Sequence, residues 1–296
     1  MNIQDLPKPL QILFEVSKTK RIKFKFAKNE NSFTPNTVSK VGGVGYLPQG
    51  ESYPTQKNGK PLVLLAQLNF KQISEAVDIS QLPHPLPKQG ILQIYIAVDA
   101  DDGIYGCDFD NYLPHDKYQV RFWQDDSLPI NTEALTKAIQ TLNAMDTDGL
   151  PFNYDYEYDM RFELTTQSCG YTSWEYKRFL ESTSELPKLN GMAIWEYWSK
   201  VVGVEDEALS EYEKLAGSQT HQLLGYPNFT QTDPREWHKE LQEHILLLQI
   251  ETDDSIDDRG YGDIMWGDCG VANFFIHPVD LKNQDFSKLL YNWDCC

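Results

Sequence analysis

The chain has 296 residues, 41% hydrophobic and 12% aromatic, enough to bury one large core or two close lobes. Lys and Arg number 26 against 44 Asp and Glu; the resulting net charge of −18 repels phosphate backbones and argues against nucleic acid as a ligand. No apolar run approaches the ~20 residues of a membrane span, and Met1-Asn2-Ile3-Gln4-Asp5-Leu6-Pro7 lacks the charged and apolar regions of a signal peptide. The expectation is a cytoplasmic protein with no membrane partner.

The cysteines, Cys107, Cys169, Cys269, Cys295 and Cys296, are odd in number and lack framework spacing, which predicts reduced thiols. No C-x-x-C pair or H-x-x-x-H helix accompanies them, so neither a metal nor another cofactor is expected. The charge is uneven. Residues 1–40 carry eight basic side chains against three acidic ones, which leaves 18 basic (26 − 8) and 41 acidic (44 − 3) in the rest. A body that acidic attracts a basic partner.

In chain order, residues 9–17 place Leu10, Leu13 and Phe14 on one side of a short helix and Ile12 and Val16 on another. Ile22, Phe24 and Phe26 then alternate with Arg21, Lys23 and Lys25, the period of a half-buried strand, read here as an edge strand kept soluble by charge. Gly42-Gly43-Val44-Gly45 is followed by Pro48 and Tyr53-Pro54 rather than a helix, so it predicts a turn or close backbone approach, not a dinucleotide loop. Strands are expected over 62–70 and 91–98, with Gln67 and Gln93 as lone amides that satisfy loop backbone or face a pocket.

Asp99-Ala100-Asp101-Asp102-Gly103 and the Asp253, Ser255, Asp257 spacing both miss the glycine and glutamate positions of a calcium loop and read as solvated acidic loops. Leu135, Ile139 and Leu142 predict a helix over 132–145. From Phe152 to Leu164 every even position is apolar or aromatic and every odd one from Asn153 to Glu163 is polar, which predicts a long strand with one wet face. Helices are expected over 173–180, 192–202 and 205–216, with Trp195 and Trp198 one turn apart and Gly217 as a C-cap.

Two stretches keep the same order of signals. Gly45-Tyr46-Leu47-Pro48 answers Gly225-Tyr226-Pro227, Leu64-Leu65-Ala66-Gln67-Leu68 answers Leu246-Leu247-Leu248-Gln249-Ile250, and Gly90-Ile91-Leu92-Gln93 answers Gly270-Val271-Ala272-Asn273. An aromatic run, Phe122-Trp123 and Tyr291-Asn292-Trp293, closes each. The reading is a single α+β domain over 1–296, with largely antiparallel sheets built from an internal duplication, pseudo-repeats at 36–125 and 221–296, and a helical and long-strand insert at 126–220.

His221-Gln222-Leu223-Leu224-Gly225-Tyr226-Pro227, Leu246-Leu247-Leu248-Gln249 and Trp266-Gly267-Asp268-Cys269-Gly270-Val271 resemble the YwqG-like family, an uncharacterised bacterial domain family. Ser39-Lys40-Val41-Gly42-Gly43 and Pro61-Leu62-Val63-Leu64-Leu65-Ala66-Gln67 extend the resemblance over most of the chain. It implies one α+β fold on a duplicated unit, and no reaction and no catalytic residues.

Two functional readings follow. The favoured one is a protein-binding or inhibitory, immunity-like module whose acidic loop docks a basic partner, with Asp253, Asp254, Asp257, Asp258, Asp263 and Asp268 around exposed Tyr261 and Trp266. The alternative is a hydrolase or metal-dependent enzyme with its site in a cleft between the repeats. There Gln67 and Gln249 lie near a pseudo-twofold axis, Tyr46 and Tyr226 line opposite walls, and His221 works with Asp263 and Asp268.

Overall fold

The computed structural model describes residues 2–30, 33–98, 104–192, 196–256 and 263–296. Trp195, the acidic stretch 99–103, Asp257, Asp258 and Tyr261 therefore lie outside the described residues.

Ten strands build one sheet: β1 (Thr19–Glu30), β2 (Lys40–Gly42), β3 (Val63–Asn69), β4 (Ile91–Ile96), β5 (Tyr118–Trp123), β6 (Tyr156–Gln167), β7 (Gln222–Leu223), β8 (Ile245–Glu251), β9 (Val271–Ile276) and β10 (Leu290–Asp294). Their order is β10-β9-β8-β7-β1-β6-β2-β3-β4-β5, and every neighbouring pair is antiparallel. β1 is thus interior, paired along its length with β6 and near its start with β7, and not the expected edge strand. Its partners arrive from the far side of the chain, so no local pattern reveals them. Lys23 and Lys25 are accommodated because the face they occupy, with Arg161 and Glu163 of β6, is not covered by the core.

The other face carries Ile22, Phe24, Ala66, Leu68, Ile94, Tyr158, Met160, Leu248, Ile250 and Phe274 in one cluster, each fully buried or nearly so. Burial of that kind stabilises by about 1.5–3 kcal/mol for each large side chain. The sheet curls around this cluster until its two outermost strands touch. Tyr118 of β5 lies 5.1 Å from Tyr291 of β10, ring to ring, and its hydroxyl donates to the Leu289 carbonyl at 3.0 Å.

Helices α1 (Lys8–Val16), α4 (Trp174–Ser182) and α5 (Asp206–Ala216) pack a second core from Leu10, Leu13, Tyr176, Leu180, Trp198 and Tyr212. Gly217, left-handed at φ 73°, ends α5 as its spacing predicts. Of the helix expected over 192–202, the described residues show Glu196 α-helical and a π-helical turn over Tyr197–Val202. The other helices are α2 (Phe70–Ala76), α3 (Thr132–Leu142) and α6 (Pro278–Asn283). The Asn131 side chain caps α3 by accepting the Ala134 N–H, and Leu135 seats the helix on Val44 and Leu47. No helix of the described residues is long and apolar enough to cross a membrane.

The two arms of the sheet, β2 to β5 and β7 to β10, share several local features. Register shifts fall between Leu64 and Ala66 in one arm and between Leu246 and Leu248 in the other. Gly42 and Gly43 at φ 70° and 67° correspond to Leu224 and Gly225 at φ 59° and 79°. Each of these positions has its counterpart 182 residues later (64 to 246, 66 to 248, 42 to 224, 43 to 225). Gly225 therefore corresponds to Gly43, and Tyr46 to Asn228 rather than to Tyr226; the short Gly-Tyr match in the sequence is displaced by two residues.

Candidate functional site

Gln67 and Gln249, both fully buried, each tie down the loop that precedes them. Gln67 accepts the Tyr46 N–H at 2.9 Å and donates to the carbonyls of Asn36 at 3.0 Å and Val38 at 2.8 Å. Gln249 accepts the Asn228 N–H at 2.7 Å and donates to the carbonyls of Ser218 and Thr220, both at 2.8 Å. An amide suits this task because it offers a carbonyl acceptor and two donors at one point. Both side chains point away from the main core, whose β3 and β4 members are Val63, Leu65, Ala66, Leu68, Leu92, Ile94 and Ile96. Gln67 and Gln249 thus lie on outer faces of opposite arms and do not meet in the expected cleft. Tyr46 is sealed at 1% exposure with its hydroxyl on the Leu128 carbonyl, while half-buried Tyr226 stands beside Phe179, so the two rings are not opposite walls of one site.

His221 occupies the position that Ser39 holds in the other arm, again 182 residues earlier. The Ser39 hydroxyl accepts the Asn69 N–H at 2.9 Å, and His221 Nδ1 accepts the Glu251 N–H at 3.1 Å. Because Nδ1 accepts a backbone proton, the neutral ring carries its hydrogen on Nε2, which meets Asp253 Oδ2 at 2.9 Å. Burial raises the Asp253 carboxyl, but hydrogen bonds from His221 and Ser255 outweigh it and hold the group down at about 2. Both ring nitrogens are committed, and the ring is wedged between Phe24 and Phe26 at 5.6 and 4.6 Å.

The expected grouping of His221 with Asp263 and Asp268 does not form. Asp263 is 6% exposed and reaches across to β1, pairing with Lys28 at 2.5 Å and accepting the Tyr158 hydroxyl at 3.2 Å. Asp268 is exposed, its carboxylate within 4.8 Å of the sulfurs of Cys269 and Cys296. Those two cysteines are joined in a disulfide, contrary to the expectation of reduced thiols; Cys107, Cys169 and Cys295 are free.

The acidic loop departs from expectation at its aromatic anchor. Trp266 is fully buried against Tyr105, Tyr291 and Trp293 and offers nothing to a partner. Asp254 is exposed and Asp253 half-buried.

An exposed aromatic does exist, in a segment with no periodicity to announce it. Trp237 is 73% exposed and stands at a groove of about 800 Å³ lined by Tyr171, Lys177, Met192, Asp206, Leu209 and Glu236. The short turn that presents it is rigid. Arg235, 1% exposed, is clasped by Asp233 and Glu175 at 2.6 Å each and lies 4.6 Å over the Phe275 ring. Asp233 also accepts the Trp174 N–H at 2.7 Å, which locks the turn to α4. A smaller groove of about 350 Å³ holds Tyr226, Phe179, Arg178 and His84.

This geometry defines an α+β protein on one curled antiparallel sheet, with structural tasks for its buried His and Gln residues and no assembled catalytic set among the described residues. The chain belongs to the family described as Domain of unknown function (DUF1963), which matches residues 39–295 and is the family of YwqG-like proteins that the sequence resembles. No curated protein matches the chain.

Proposed function

We propose that this protein is a binding module, inhibitory in the manner of an immunity protein, that docks a basic partner and anchors it on Trp237. The observation that carries the reading is Trp237 itself: a large ring, 73% exposed, held by a buried ionic clasp at an apolar groove rimmed by Asp206 and Glu236. Exposed Trp in a preorganised setting is the usual form of a binding hot spot, and a net charge of −18 speeds the approach of a cationic partner. The matched arms support an origin by duplication of one unit, in which each copy uses its buried amide for folding and leaves recognition to the surface. Gln67 and Gln249 are committed to backbone groups, and His221 is held between the Glu251 N–H and the Asp253 carboxylate, which gives the enzymatic alternative less to build on.

The test is capture from the native cell's lysate at low and then moderate salt. The intact chain should retain a basic protein that salt releases, and Trp237→Ala should weaken the isolated complex tenfold or more. A version with Asp253, Asp254, Asp257 and Asp258 changed to Asn reports separately on the acidic loop. Retention of nothing by the intact chain sinks the reading, and a complex indifferent to Trp237→Ala removes this groove from it.

A further inference from the structure

The two arms differ in chemistry at one buried spot beside the Gln67 and Gln249 amides. In the first arm the Gln93 side-chain oxygen receives two donors, Trp123 Nε1–H at 2.7 Å and the Tyr95 hydroxyl at 3.2 Å. Its counterpart in the second arm is Asn273: Gln93 donates to the Tyr46 carbonyl at 2.8 Å and Asn273 to the Asn228 carbonyl at 2.8 Å. The register then sets Phe275 where Tyr95 stands, and Asp294 where Trp123 stands, since Ile91 pairs with Trp123 and Val271 with Asp294. Both donors are gone. One place holds a ring without a polar atom and the other a carboxylate.

The result is a cluster of acceptors. Asn273 Oδ1, on a fully buried residue, has no hydrogen-bond partner among the described residues, and neither has Asp294 Oδ1, on a residue 9% exposed. The Thr230 hydroxyl lies beside the Asp294 carboxyl, whose Oδ2 accepts the Gln231 N–H at 2.7 Å. Glu251 and Asp294 both pair with Val271, one from each side, so their carboxylates share a face of the sheet with Asn273 two residues along. Buried acceptors with nothing to accept are rare, and a site carrying two carboxylates needs positive charge more than a neutral water.

We infer that Asp294, Glu251, Asn273 and Thr230 form a binding site for a hard divalent cation, with calcium the best match. Carboxylate, amide and hydroxyl oxygens are calcium's ligands, and its irregular, expandable coordination tolerates donors drawn from two strands and a loop, which magnesium's strict octahedron does not. Partial exposure of Glu251 leaves a path for the ion and its waters.

The experiment is equilibrium dialysis of the full chain against calcium at near-neutral pH and physiological salt, with thermal unfolding in parallel. An acidic surface collects calcium loosely, so Asp254→Asn serves as the control that should leave the result unchanged. The expected outcome is one calcium per chain and a melting temperature that rises with calcium concentration as linkage requires. Asp294→Asn should weaken binding at least tenfold, and so should the shape-preserving Thr230→Val, which carries the mutational test if Asp294→Asn misfolds. Absence of a stoichiometric ion, or equal binding by Thr230→Val, overturns the site. A chain indifferent to calcium but stabilised as pH falls from 8 to 5 also overturns it and assigns the pocket to a proton.

Discussion

Gln67 and Gln249 stand 182 positions apart and grip backbone groups that are also 182 positions apart: Tyr46 and Asn228, Asn36 and Ser218, Val38 and Thr220. Three backbone groups lose their partner when either amide is removed. Gln67→Leu and Gln249→Leu should each lower stability by about 2–4 kcal/mol in urea unfolding. Because the grips are equivalent the two losses should be similar; a neutral result for one would break the equivalence.

Trp266 and Trp237 are near in sequence and opposite in role. Trp266→Ala empties a fully buried site and should cost about 3–5 kcal/mol, with loss of partner binding only through unfolding. Trp237→Ala should leave the unfolding free energy within about 0.5 kcal/mol of the parent and act on binding alone. Matched denaturation curves for the two variants decide this.

Acid and base limbs of stability have separate owners. Asp253 has its carboxyl depressed to about 2 in the folded chain, so its contribution is present above the ordinary Asp value of ~3.9 and is lost as pH falls toward 2. Glu251 is raised to about 8, so its favourable contribution is full below ~4.3 and is lost as pH climbs to 8. Asp253→Asn should flatten the fall in stability below pH 4, and Glu251→Gln should flatten the decline between pH 5 and 8 in metal-free buffer. Melting temperatures across pH 2 to 9 read both.

The Cys269–Cys296 disulfide, with 27 residues of separation, removes loop entropy from the unfolded chain worth about 3–4 kcal/mol. Reduction, or Cys296→Ser, should lower the urea midpoint accordingly while leaving Trp237 exposed and its partner binding intact. An unchanged midpoint under reductant would show that the bond does not contribute.

Where a signal is local, the sequence is readable. The alternation from Phe152 to Leu164 becomes β6, with Tyr158 and Met160 buried, since a two-residue period reports its own wet and dry faces. The short Gly-Tyr match between the two stretches does not follow the structure, where the φ values pair Gly43 with Gly225, two residues away from it. The site is less legible. His221 lies closer in sequence to Asp253 than to Asp263, yet only the fold shows that Lys28, far upstream, claims Asp263. Trp266 and Trp237 each stand among charged residues, and nothing in that composition tells a core ring from an exposed one.

The long pairing of β1 with β6 carries a consequence for synthesis. Thr19 faces Gln167 and Glu30 faces Tyr156, so the residues that complete β1 leave the ribosome 126 to 148 positions after it (156 − 30 and 167 − 19). Until then Ile22, Phe24 and Phe26 form an apolar ribbon without a neighbour, and only its alternating lysines keep it from pairing with another nascent chain. The basic start of this acidic protein is in that sense a safeguard for the interval before its own centre exists.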